Sequence, residues 1–118
     1  MRARLKHLLD DDVERVSTDD PAEFMYLAQM LVGPSDERGE ESFNVVVCSP
    51  EWLAAAARRD GGLFHARHHL VVNFETFDRQ AVHDWLAARV QDVSGETWDE
   101  VAERLARLGY WEFEDYKP

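Results

Sequence analysis

The segment Ser42–Cys48, with the sequence SFNVVVC, decides the fold of this chain. Its β-branched and aromatic residues make it the clearest strand in the sequence. A helix start follows directly, because Ser49 is a good N-cap and Pro50 suits the first helical position. The chain therefore passes from a strand straight into a helix, and the neighbouring segments are placed around this unit.

The apolar run Phe24–Val32, FMYLAQMLV, precedes this strand and has two interpretations. Asp20, followed by a proline, could cap a helix, whereas Gly33 and Pro34 stop the run as at the end of a strand. We interpret the run as a strand, because Ser42–Cys48 would pair with it. The polar connection GPSDERGEE between the two then forms the long loop of a β-hairpin.

Strands dominate the first part of the chain and helices the second, which favours an α+β fold. We expect an antiparallel or mixed sheet of about four strands with about three helices packed on one face, in a single domain spanning residues 1–118. Further strands are predicted at Ala3–Leu9, Phe64–Phe74 and Tyr110–Tyr116. Helices are predicted after Ser49, Thr76 and Thr97, with Glu100 completing a capping box and Trp52, Trp85 and Trp98 facing the core.

The charge of the chain is strongly unbalanced, with 24 acidic and 13 basic residues and a formal net charge of −11. Such a surface repels phosphates, so we expect a basic protein partner and no nucleic acid. No segment approaches the ~20 apolar residues of a membrane span, and no signal peptide is visible. Because the single cysteine, Cys48, cannot form an internal disulfide, we expect a cytoplasmic protein with no membrane partner.

Cys48 and the histidine cluster His65, His68 and His69 are the candidates for catalysis or metal binding. Cys48 precedes a helix N-terminus, which could lower a thiol pKa, but a buried structural cysteine is the favoured interpretation. On a strand, His65 and His69 share one face while His68 points to the other, and no ligand follows at a known metal spacing. We expect no catalysis, no metal and no cofactor, with a small enzyme using these residues as the alternative.

Two acidic segments form the candidate partner-binding surface, namely the hairpin loop and the C-terminal segment in which aromatic and acidic residues alternate. Trp and Tyr are frequent hot spots of interfaces, so Trp111 and Tyr116 could anchor a basic partner. The alternative is a terminal strand that docks Trp111 and Phe113 into the core. The predicted binding residues are Asp36, Glu37, Glu40, Glu41, Trp111, Glu112, Glu114, Asp115 and Tyr116.

Three phrases occur in order along the chain: GEESFNVVVCSPEWL at Gly39–Leu53, HHLVV at His68–Val72, and GETWDEVAERLARLGYWEFEDY at Gly95–Tyr116. With the opening MRARLK, they resemble the immunity protein 8 (Imm8) family of bacterial polymorphic toxin systems. The resemblance covers nearly the whole chain and implies an α+β protein without catalysis that binds a toxin and neutralises it in the producing cell. The charge suggests a basic nuclease domain as that toxin. An acidic adaptor or nucleic-acid mimic is a further alternative.

Overall fold

An antiparallel hairpin lies at the centre of the molecule, whose computed structural model describes residues 1–14 and 20–113. The hairpin consists of β2 (Met25–Pro34) and β3 (Glu41–Cys48). Its register runs without interruption from Met25 opposite Cys48 to Val32 opposite Glu41. The strand interpretation of the run before Gly33 and the long-looped hairpin are therefore both confirmed.

The strand β3 is paired along both of its edges. β2 takes one edge, and two short strands divide the other edge between them. β4 (His69–Val71) pairs in parallel with Val46–Cys48, and β5 (Tyr110–Trp111) pairs antiparallel with Phe43–Asn44. β1 (Ala3–Leu9) lies antiparallel to the far side of β2. The result is a mixed five-stranded sheet, which confirms the α+β class.

The helices begin at residues whose side chains accept hydrogen bonds from the first helical turn. Ser49 Oγ accepts from the Trp52 amide, and Thr97 Oγ1 accepts from the Glu100 amide, as predicted. The second helix is capped by Asp78, so the prediction of Thr76 was wrong by two residues. In the part of the chain that the structure describes, none of the helices combines the length and the hydrophobicity of a membrane span. The helices are α1 (Pro50–Arg59), α2 (Arg79–Gln91) and α3 (Trp98–Leu105), and a short 3-10 helix spans Asp11–Glu14.

The main core lies between one face of the hairpin and the helices α2 and α3. Alternate residues of each strand are buried there, as the two-residue period of a strand requires. Burial of each large apolar side chain contributes about 1.5–3 kcal/mol, so this layer is the principal source of stability. It contains Tyr26, Ala28, Met30, Val32, Phe43, Val45 and Val47 from the strands, and Val82, Leu86, Val90, Val101, Ala102 and Leu105 from the helices.

Helix α1 lies on the opposite face of the sheet from α2 and α3. Leu70 packs against the main core, so its neighbour in β4, His69, points to the other face. Trp52 of α1 stacks on His69, with 5.9 Å between the ring centroids. The expected packing of all helices on one face therefore holds only for α2 and α3.

Two further predictions were wrong in detail. The strand expected at Phe64–Phe74 is limited to His69–Val71, because His68 has a φ of 59° that interrupts the extended chain. Trp85 was expected in the core, but its side chain is 39% exposed on α2. The Arg89 guanidinium lies over its ring at 4.9 Å from the centroid, so a cation packs on one face of this partly exposed ring.

Candidate partner-binding surface

The structure brings the two acidic segments together at one end of the sheet. β5 pairs with β3, so Trp111 lies opposite Phe43, close to the point where the hairpin loop enters β3. The indole Nε1–H of Trp111 donates to Glu41 Oε2 at 2.7 Å. We call the surface formed by Asp36, Glu37, Glu40, Glu41, Trp111 and Glu112 the acidic end. The other predicted binding residues, Glu114, Asp115 and Tyr116, lie outside the described residues.

Trp111 joins the acidic end to the core. Its ring is half-buried and stacks on Phe43, with 6.2 Å between centroids and 12° between the ring planes. Phe113 contacts the same indole edge-on at 6.0 Å. Tyr110 and Phe113 are each 43% exposed. Trp111 is therefore docked as a terminal-strand residue, with aromatic surface on both sides of it still accessible to a partner.

The carboxylates of the acidic end are accessible and carry few internal interactions. Asp36, Glu37, Glu40 and Glu112 are exposed, and within residues 1–14 and 20–113 none of their carboxylates accepts a hydrogen bond or pairs with a cation. Arg38 is the cationic residue of the same loop. Because these charges are not used within the described part of the fold, they are available to an external cation.

Lys6 and Gly33, which the sequence did not single out, hold the loop of the acidic end against the sheet. Lys6 Nζ donates to the main-chain oxygens of Glu37 at 2.6 Å and Gly39 at 2.9 Å. Gly33 permits the close approach, since a Cβ atom there would lie 1.9 Å from the Gly39 oxygen. A lysine in an outer strand ordinarily indicates protection against edge-to-edge aggregation, so no sequence signal pointed to this contact.

Cys48 has the environment of a structural cysteine. Its side chain is completely buried, and this burial raises the pKa of the thiol to about 11. A nucleophilic cysteine requires the thiolate and hence a lowered pKa. Because burial raises the pKa of Cys48 instead of lowering it, the geometry disfavours the alternative of a thiol enzyme.

The three histidines are separated by their contacts. His65 is exposed, while His68 Nε2 lies 2.6 Å from the main-chain oxygen of Ala106. His69 Nδ1 lies 2.6 Å from the Arg67 oxygen. In the part of the chain that the structure describes, no three His, Cys, Asp or Glu side chains converge in a way that could hold a metal ion. The three residues are thus close in sequence, but His65 lies in a loop, His68 contacts the C-terminal end of α3, and His69 lies in β4.

A carboxylate of a different kind lies where β1 ends. Asp10 is only 7% exposed, and its two oxygens accept hydrogen bonds from Arg79 Nε at 2.8 Å and Arg79 Nη2 at 2.5 Å. The hydrogen bonds from Arg79 lower the pKa of Asp10 more than burial raises it. This pair fixes the start of α2 to the sheet, and we assign it a structural role.

The family model described as Immunity protein 8 (Imm8) matches residues 3–116, which is nearly the whole chain. No curated protein and no solved structure matches.

Proposed function

The chain belongs to the immunity protein 8 family, a family of immunity proteins of toxin systems, and on that premise we propose that it binds and neutralises a cognate toxin. The acidic end is the proposed binding surface. The observation that carries this proposal is the convergence of the hairpin loop and β5, which places unpaired carboxylates beside half-exposed aromatic rings. Aromatic anchors bordered by charges are a common composition of interface hot spots.

The proposed partner is a basic surface of the toxin, and a nuclease domain would provide one in its substrate cleft. An acidic protein can occupy such a cleft in place of nucleic acid. Complementary charge raises association rates toward ~10⁸–10⁹ M⁻¹s⁻¹ at low salt, which suits an inhibitor that must act before its toxin does. The proposal places the protein in the cytoplasm of the producing cell and requires neither a cofactor nor a catalytic step of its own.

Protection of cells is the direct test of this function. The toxin domain encoded beside the gene for this chain is expressed in a bacterial host, alone and together with the chain. We expect growth only when both are present, and a stable complex when the two are purified together. Growth arrest despite soluble co-expression of the chain would contradict the proposal.

A charge-reversal variant tests the proposed surface. We expect Glu37→Lys with Glu40→Lys to weaken binding of the same toxin domain about 30-fold, because two attractive charges become repulsive. The matched control is Glu51→Lys with Glu75→Lys, which changes the net charge by the same amount. These two exposed residues follow the C-terminal ends of β3 and β4, whereas the acidic end lies at the N-terminal end of β3. The control should stay within about threefold of wild type. Equal losses in the two variants would assign the effect to net charge and move the interface away from the acidic end.

A further inference from the structure

Lys6 contacts the hairpin loop through main-chain oxygens and not through the acidic side chains of the loop. A lysine under an acidic loop would be expected to pair with carboxylates, yet its ammonium donates to the carbonyl oxygens of Glu37 and Gly39. Among the described residues, no carboxylate lies within ion-pair distance of Lys6. The ammonium therefore fixes the main chain of the loop and leaves the Glu37 side chain available to solvent.

The position of Lys6 follows from an irregularity in β1. The register of β1 with β2 shifts between Leu5 and His7, so Lys6 is the extra residue of a bulge. Its Cε lies 3.1 Å from the place where a Cβ of Gly33 would be. Lys6, Gly33 and the loop carbonyls thus form one compact contact on a single face of the sheet.

The close approach of the loop to β2 depends on two glycines. A side chain at Gly33 would collide with the Gly39 oxygen, as the 1.9 Å approach requires. Gly39 has a φ of 110°, a conformation that residues with a Cβ rarely adopt. Without these two residues, the loop could not lie close enough for Lys6 to reach its carbonyls.

An ordered loop is a better binding surface than a mobile one. Several like charges in a short loop repel one another and favour many extended conformations. A partner would then have to order the loop, which reduces affinity. With the main chain already fixed by Lys6, the carboxylates are presented in one arrangement before the partner arrives.

We propose that Lys6 and Gly33 are positioning residues that pre-order the acidic end for its partner, an inference that rests on the proposed function. The direction in which one substitution changes the affinity for the toxin separates this role from simple electrostatics. Lys6→Met makes the chain more acidic, so charge steering alone would strengthen binding to a basic toxin domain. Loss of the contact would weaken it.

The experiment compares Lys6→Met with Arg4→Met, which removes the same charge from an exposed residue of the same strand. Binding to the toxin domain encoded beside this gene should weaken about tenfold in Lys6→Met and stay equal or tighten slightly in Arg4→Met. Gly33→Ala changes no charge and should weaken binding as Lys6→Met does. Thermal unfolding of each variant establishes that it is folded at the assay temperature.

Backbone ¹⁵N relaxation provides a readout that does not depend on the toxin. We expect the order parameters of residues 36–40 to fall from about 0.85 to below about 0.6 in Lys6→Met and Gly33→Ala, with Arg4→Met unchanged. Unchanged order parameters, or a Lys6→Met variant that binds as tightly as Arg4→Met, would overturn the proposal. If the wild-type chain itself fails to bind, the proposed function fails, while relaxation still decides whether Lys6 orders the loop.

Discussion

Asp10 and the carboxylates of the acidic end are the same chemical group in two opposite environments. Asp10 is buried and receives two hydrogen bonds from one guanidinium. Glu37 and Glu40 are exposed, and no cation among the described residues pairs with them. In the first environment the protein uses the charge internally, and in the second the charge remains for something outside.

The difference teaches that charge alone does not mark a functional residue in so acidic a chain. Removal of a buried charge takes away the hydrogen bonds that it accepts and destabilises the fold. Removal of an exposed, unpaired charge has little effect on stability. We therefore expect substitutions near Asp10 to change the free energy of unfolding, and substitutions at the acidic end to change binding.

The largest effect is expected for Asp10→Asn, which should lower the free energy of unfolding by about 2 kcal/mol at neutral pH. This value is below that of a fully buried pair because Arg79 is partly exposed and can be rehydrated. The folded-state pKa of Asp10 is depressed, so its contribution is complete above the unfolded pKa of about 3.9 and is lost as pH falls below that value.

Urea denaturation of wild type and Asp10→Asn at pH 7 and at successively lower pH checks both statements. The difference in stability between the two proteins should shrink on acidification below about pH 4. A difference that stays constant would show that the carboxylate charge is not responsible. Weakened toxin binding by the folded variant at pH 7 would break the division between the two regions.

A smaller effect of opposite sign is expected for Tyr26→Phe. The Tyr26 hydroxyl is buried with no hydrogen-bond partner among the described residues, and burial raises its pKa to about 12. Removal of the unpaired hydroxyl should raise the free energy of unfolding by about 1 kcal/mol, since its desolvation is no longer uncompensated. A lower melting temperature for this variant would mean that the hydroxyl is satisfied in solution.

The smallest effect is expected for Arg38→Gln. This substitution removes the cation from the loop of the acidic end, so association with a basic toxin domain should become about twofold faster at low salt. The gain should disappear at high salt, and the free energy of unfolding should not change. Slower association would contradict a basic partner surface opposite this loop, and stopped-flow fluorescence measures the rate directly.

Features that depend on neighbouring residues could be predicted from the sequence. The strand at Ser42–Cys48 and the caps Ser49 and Thr97 follow from residue type and short spacing, and the structure confirms them. The hairpin also follows, because its two strands are adjacent in the chain. In these places the local propensity agrees with the strand pairing, so the residue types alone predict the structure.

Features that depend on distant residues could not be predicted. The length of β4 is limited by the turn at His68 and by the presence of β5 on the same edge of β3. The hydrogen bond from Trp111 to Glu41 joins residues 70 positions apart. Residue type alone predicts each of them as an interface residue, but only the pairing of β5 with β3 brings them together. The contact of Lys6 with the loop is non-local in the same way.

The acidic end is formed by the hairpin loop and by residues in and beside β5 at the rim of the sheet, and this position has an evolutionary consequence. Residues 35–40 are all exposed, so most of their side chains can change without altering the packing of the core. Under the proposed function, a toxin with a changed surface could then be matched by a few codon changes here, while the hairpin beneath stays the same. We expect related chains that inhibit different toxins to diverge most in this loop, with Gly39 as the position least free to vary.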